Sequence, residues 1–238
     1  MTDAHAAETA IAPDEKTVRR AVAASAMGNA IEWFDYGVLT AGVMTPIVGS
    51  VLFPPGSESD AIRNTFLLLA VSFIPRPFGG AFFGMLGDKI GRRKVLATTI
   101  LLMSGCTFLI GLLPSYASIG ILAPILLLLI RLIQGFSTGG EYGGAATFIA
   151  EYAPTRKRGF LGAFLEFGTL AGFVFGAALV LVVNLIVGDA AMSDWCWRIP
   201  FMVALPLGLV GLYLRSRLED TPVFRELLEK APPRKSKL

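Results

Sequence analysis

Six apolar stretches, each long enough to cross a lipid bilayer, alternate with short polar connections along this chain. They lie at approximately 21–48, 64–86, 95–113, 119–148, 160–187 and 197–215. About 20 apolar residues in a helix span the roughly 30 Å hydrocarbon layer. The pattern predicts an all-α membrane protein with a tail over 1–20, a six-helix transmembrane bundle over 21–215 and a linker or tail over 216–238. VLFPPGSESDAIR, at 51–63, is the only sizeable connection on its side, and its Pro-Pro-Gly forces a turn. LPSYASI at 113–119 reads as a tight hairpin, while Trp195 and Trp197 fit an interfacial aromatic belt ahead of the sixth span.

Composition agrees with the pattern: 54% of the 238 residues are hydrophobic and 16% charged, with mean hydropathy +0.63. A soluble domain carries about 25% charge. The pI near 9.0 and net charge of +3 do not point to nucleic acid, because the basic residues cluster in alternate connections. Lys16, Arg19 and Arg20 precede the first span; Lys89, Arg92, Arg93 and Lys94 follow the second; Arg156, Lys157 and Arg158 follow the fourth; seven more run from Arg215 to Lys237. That asymmetry predicts an inner (plasma) membrane protein with an even number of spans and both termini cytoplasmic. The acidic start, with Asp3, Glu8, Asp14 and Glu15 and no apolar core, is not a cleavable signal. The tail ending APPRKSKL reads as solvated, or as a basic cluster against anionic lipid heads. Cys106 in mid-span and Cys196 at a span edge predict no disulfide, and the sole histidine, His5, lies in the tail. Neither a metal centre nor an enzyme's nucleophile–base set is expected, and no ring of like charge suggests a pore.

Charges inside the spans change the picture most. A charge near the bilayer centre costs roughly 2.5–3.5 kcal/mol on insertion scales, so intramembrane charges face the bundle interior or a cavity and pair. The first span carries GNAIEWFDYG (Gly28–Gly37), in which Asn29, Glu32, Asp35 and Tyr36 fall on one stripe about 120° wide at ~100° per residue. On the fourth span Arg131, Thr138, Glu141 and Tyr142 form a second stripe. The two stripes predict an Asp35–Arg131 pair across a cavity. Two roles fit it: a fixed structural ion pair, or a proton site, since a carboxylate favours its charged form beside arginine and its neutral form when stranded in low dielectric. Glu32 either shares that role or orients its neighbour. Arg76, between Pro75 and Pro77 in the second span, is aimed inward by a proline bend. Glu166, near the start of span five, reads as an interfacial or loop-locking residue.

Glycine is patterned as well. Gly168, Gly172 and Gly176 form a ridge in span five, with further sets in spans two (Gly79, Gly80, Gly84, Gly87) and four (Gly135, Gly139, Gly140, Gly143, Gly144). Such ridges allow close helix approach, for static packing or for sliding. GMLGDKIGRRK (Gly84–Lys94) leaves one span, turns and enters the next. There Gly91 permits a backbone angle that other residues resist, and Asp88 can accept from a helix N-terminus.

The pattern G-x-L-x-D-x-x-G-R-R in that turn resembles the signature loop between spans two and three of the major facilitator superfamily. RLIQGFSTGGEYGGA (Arg131–Ala145), AEYAPTRKRG (Ala150–Gly159) and EDTPVF (Glu219–Phe224) resemble its fourth span, the exit from that span and the end of its sixth. GNAIEWFDYG, PRPFGG and GFSTGGEYGG together look like its metabolite–proton symporter family, most like the proline/glycine-betaine transporters; sister members for 2-oxoglutarate, citrate and shikimate share these motifs. The resemblance covers about 20–225 and implies the N-terminal half of a twelve-span, two-half carrier built on a 3+3 repeat, with the substrate site between halves. The C-terminal six-helix half is then a partner lying outside this chain. It implies uptake of a small carboxylate-bearing osmolyte such as proline or glycine betaine, the proton as coupling ion and no cofactor; an organic acid is the alternative cargo, and a non-transporting six-helix membrane subunit is the alternative of another class. By resemblance to the sugar–proton symporters, the acid at Asp35 pairs with the arginine at Arg131. The family's substrates share a carboxylate, so Arg76 is either a ligand for it or a structural partner of Glu141 or another acid. Asn29, Tyr36, Thr138, Glu141 and Tyr142 complete the expected cavity. Gly84, Asp88, Gly91, Arg92, Arg93, Glu151 and Arg158 form the expected cytoplasmic gate. Span five, GTLAGFVFGAAL, lacks the Gly-Pro pair of the superfamily's antiporters, which leans towards symport.

Overall fold

The computed structural model describes residues 15–216, and their regular structure is helical. The main helices are α1 (Glu15–Thr40), α2 (Met44–Leu52), α3 (Glu58–Ser72), α4 (Arg76–Ile90), α5 (Arg92–Leu112), the short α6 (Tyr116–Ile119), α7 (Leu122–Tyr152), α8 (Arg158–Ala191) and α9 (Arg198–Ser216). Among the described residues five helical segments are long and apolar enough to cross a membrane, and α1 with α2 makes a sixth if that bent pair is one span. EDTPVF and both expected tails, except residues 15–20 and Ser216, lie outside the described residues.

The first two spans differ from straight rods. The expected span 21–48 is broken after Thr40, and α2 leaves at 78° to α1. The carbonyls freed there are taken locally: Ala41 N donates to Gly37 O at 3.2 Å and the Thr45 hydroxyl to Leu39 O at 2.9 Å. In a lipid setting such a break survives only when its backbone groups find protein partners. The expected loop 51–63 is shorter than its composition suggests. Ser57 and Asp60 form a capping box that starts α3 at Glu58, and a cap of this kind satisfies otherwise orphaned N–H groups. The second span breaks over Phe73–Pro75, where N–H groups bond three residues back, and Arg76 begins α4 with Pro77 behind it. At the α4–α5 turn Gly91 has φ 98°, which L side chains resist. Trp197 is fully buried against Phe201, so only Trp195, 52% exposed, fits an aromatic belt.

The helices pack in a symmetric pattern. Taking α1–α2, α3–α4 and α5 as spans one to three, and α7, α8 and α9 as four to six, the closest pairs are one with five, two with four, and three with six. Exchanging the two triplets maps the first pair on the second and leaves the third unchanged, as a 3+3 repeat requires. Glycine makes the first two contacts. A Cβ on Gly168, Gly172 or Gly176 would strike the carbonyls of Ala26, Ala30 or Phe34 on α1, and one on Gly135 or Gly139 those of Ser72 or Arg76. Helices without a hydrophobic drive to associate gain from such close backbone approach.

Two apolar clusters hold the ends of α1 and α7. One includes Phe34, Leu39, Met44, Leu127, Trp197 and Phe201, and the other Val18, Val22, Ala145, Ile149 and Leu165. Between them on both helices lies a layer of buried polar residues: Ser25, Asn29, Glu32 and Asp35 on α1, and Arg131, Gln134, Ser137, Thr138 and Glu141 on α7.

Candidate functional site

Three arginine–carboxylate pairs occupy that polar layer. Burying an ion pair is tolerated only where hydrogen bonds complete it, and each pair has a distinct set. In the first, Arg131 of α7 donates to both carboxylate oxygens of Asp35 on α1, and each side chain is 1% exposed. The Thr107 hydroxyl of α5 donates to Asp35 Oδ1 at 3.1 Å and accepts from Gln134 Nε2 at 2.8 Å. One carboxylate thus ties α1, α5 and α7 together.

In the second, Arg76 Nη2 lies 3.3 Å from Glu32 Oε1 and 2.7 Å from the Tyr36 hydroxyl, to which it also donates. The helix break before Arg76 brings it here. Its guanidinium carbon stands 4.2 Å from the Phe73 ring centre and 5.4 Å from that of Tyr36. Arg76 keeps 21% of its side chain exposed, while Glu32 keeps 2%. Glu32 Oε2 and Arg76 Nε are buried with no partner.

In the third, Arg215, one residue from the end of α9, donates to both oxygens of Glu141 and to Leu96 O, and Thr99 donates to Glu141 Oε2. Gly28 makes the room: a Cβ there would run into the Arg215 guanidinium and the Glu141 carboxylate. Arg76 therefore takes Glu32, not Glu141, as its acid. Glu141 sits roughly 80° around α7 from Arg131 at ~100° per residue, which turns it to α5 and α9 instead.

The other expected cavity residues are more dispersed. Asn29 is locked to α8, donating to Leu165 O at 2.8 Å and to the Thr169 hydroxyl. Thr138 is buried and donates to the Met103 sulfur at 3.1 Å. Tyr142 is 48% exposed and its hydroxyl donates to Glu166 of α8 at 2.7 Å, away from the ion pairs. A depression of about 570 Å³ between α2, the start of α3 and the far end of α8 touches none of the three pairs.

At the opposite, basic end, Arg92 donates to Asp88 at 3.4 Å across the Gly91 turn, and Arg93 to Ser216 O at 2.7 Å. Arg158 is exposed and donates to Ala153 O at 3.3 Å. Gly84 faces open space. Glu151 belongs to α7, but its side chain lies outside the described residues. Among the described residues no group of His, Cys, Asp and Glu could hold a metal ion, and Cys106 and Cys196 are free thiols.

The residues not anticipated from the sequence are Arg215, Thr99, Thr107, Gln134, Thr169 and Gly28. One signal asked for a further cation without naming it: Glu141 falls off the Arg131 face.

Comparison with known proteins fits this geometry. The family model described as sugar (and other) transporter matches residues 21–232. The proline/betaine transporter of Escherichia coli (strain K12) is 54% identical over 217 residues, which make up 91% of this chain and 43% of that protein. The glycine betaine/proline/ectoine/pipecolic acid transporter of Dickeya dadantii is 55% identical over 220 residues, with the same two shares. This chain spans less than half the length of these curated relatives. In fold it matches the major facilitator superfamily proton:xylose symporter solved with 6-bromo-6-deoxy-D-glucose, at TM-score 0.73 and 22% identity over 90% of this chain and 47% of that one. The helix count, the repeat-symmetric packing, the matched span and these relatives converge: the chain belongs to the sugar (and other) transporter family.

Proposed function

We propose that this chain is the N-terminal six-helix half of a proton-coupled symporter that carries proline or glycine betaine inward across the inner membrane. The relatives named for those cargoes support the substrate class. The alternation of basic connections supports an orientation with both termini cytoplasmic. The observation that carries the coupling is the Asp35–Arg131 pair, sealed between the two apolar clusters and shared by spans one, three and four. A carboxylate that trades its arginine for a proton as the carrier changes conformation loads on one side and unloads on the other. Arg131 neutralises Asp35 when the proton is gone, and Thr107 holds the carboxylate in place through both states. Glu32 lies one turn away on the same helix and serves as a local electrostatic partner through Arg76. At the basic end the Asp88–Arg92 contact across the Gly91 turn acts as part of the gate, not of the cargo site.

The test uses the full-length protein in vesicles. Asp35→Asn fixes the neutral state and is expected to abolish uphill, proton-driven uptake of labelled proline while retaining exchange between equally loaded sides, which needs no net proton movement. A variant that still concentrates proline under a proton gradient would place the proton elsewhere.

A further inference from the structure

The Glu32–Arg76 pair differs from the other two in three respects that together point to a ligand. It is the only one of the three with a partner partly open to its surroundings, Arg76 at 21%. Both of its members hold a buried, unpartnered polar atom, Glu32 Oε2 and Arg76 Nε, whereas in the Asp35–Arg131 pair only Arg131 Nε is left so. And the cation lies in an aromatic corner: the Phe73 and Tyr36 ring centres are 5.9 Å apart and tilted by 50°, and Trp33 stands 5.5 Å beyond Tyr36. Both nearer rings are within the ~6 Å at which a cation is held by a ring face.

We propose that this pair is a zwitterion template: Arg76 takes the carboxylate of the cargo, while its quaternary or secondary ammonium takes the place of the Arg76 guanidinium against Phe73, Tyr36 and Glu32. The exchange balances charge. Before binding, one cation and one anion neutralise each other; after it, Arg76 faces the ligand carboxylate and Glu32 the ligand ammonium. The free Arg76 Nε gives the guanidinium a second donor for bidentate contact with a carboxylate. The free Glu32 Oε2 offers the incoming cation negative charge, and an N–H-bearing one a hydrogen-bond acceptor, without rearrangement of α1. A quaternary ammonium has no N–H to donate and gains from ring faces what it cannot gain from hydrogen bonds.

This inference rests on the proposed function, and the experiment separates the two. In the full-length protein, half-saturation for glycine betaine, dimethylglycine, sarcosine and proline is measured in vesicles, with labelled 2-oxoglutarate as the anion probe. The wild type is expected to bind more tightly as methylation rises. Phe73→Leu, at a position 46% exposed and so tolerant of the change, is expected to weaken glycine betaine about tenfold and proline by less, flattening the series, since a ring–cation contact is worth roughly that much. Phe73→Tyr, which keeps the ring, should restore it. Glu32→Gln should weaken all the zwitterions. If the wild type carries 2-oxoglutarate and none of the four zwitterions, the functional reading and the template both fall. If it carries betaine but Phe73→Leu leaves the methylation series unchanged, the template alone is overturned.

Discussion

At the residue scale, the three pairs differ in how much each side chain depends on its partner. Glu141 and Arg215 are 1% and 2% exposed and hold each other along two edges, so losing either strands a buried charge. Removing one partner of such a pair typically costs about 3–5 kcal/mol, whereas replacing both with apolar groups is often neutral. Arg215→Met is therefore expected to lower the melting temperature of the purified protein sharply, and Arg215→Met with Glu141→Leu to recover most of the loss; equal damage from the single and double variants would show that the pair is not the cause. Gly28→Val belongs to the same test, since its side chain would enter the space that the pair occupies. The acids and Arg131 were legible in the sequence because a charge in an apolar run has few explanations. Arg215 was not, because a basic residue where a span meets a basic tail reads as a topology signal. Thr99 and Thr107 were not, because a hydroxyl in a span is usually satisfied by its own helix; each has a carbonyl of its own helix within bonding distance, and sharing its one proton with a carboxylate is set by tertiary contact alone.

At the element scale, the contacts of span one with five and of two with four explain why glycine recurs where it does. Position matters more than number. Gly172 lies against the Ala30 carbonyl, while Gly162 on the same helix has nothing near it. Gly172→Ala is expected to cost about 1–3 kcal/mol by overpacking. Gly162→Ala is expected to be neutral or slightly stabilising, because alanine favours the helix. Thermal melts of the two variants side by side check this, and equal melting points would mean that the α1–α8 contact yields without cost. A kinetic prediction sits at the other glycine-rich element, the α4–α5 turn. It lies at the end of its spans, so Asp88→Asn in the full-length protein should slow transport and leave substrate affinity within a few-fold; a large loss of equilibrium binding would move Asp88 into the cargo site. Element type was legible throughout, element continuity less so. The break at Phe73–Pro75 was announced by two prolines. The break after Thr40 has none at the turn itself and is stabilised by the hydroxyl of Thr45, the second residue of the next helix, a contact that exists only once the chain has turned. The early start of α3 was hidden because its capping box is made of the same residues that mark loops.

At the scale of the whole molecule, the proposed function makes a six-helix unit with its acids sealed inside one wall of a path. Asp35 and Arg131 are each 1% exposed, and of the charged groups in the polar layer Arg76 alone keeps a substantial opening. In a carrier of two halves the cargo is gripped between them, and alternating access comes from rocking one half against the other. The relatives are more than twice as long as the stretch they share with this chain. The 238-residue chain by itself is accordingly expected not to transport. Purified and reconstituted alone, it should give proline and glycine betaine accumulation no higher than empty vesicles, with or without a proton gradient, while the full-length protein in matched vesicles accumulates both. Circular dichroism of the same preparation, showing mostly helix, would establish that the inactive chain is folded. Accumulation by the chain alone would require a complete path within six helices or within an assembly of copies, and would move the cargo site away from a boundary between two halves.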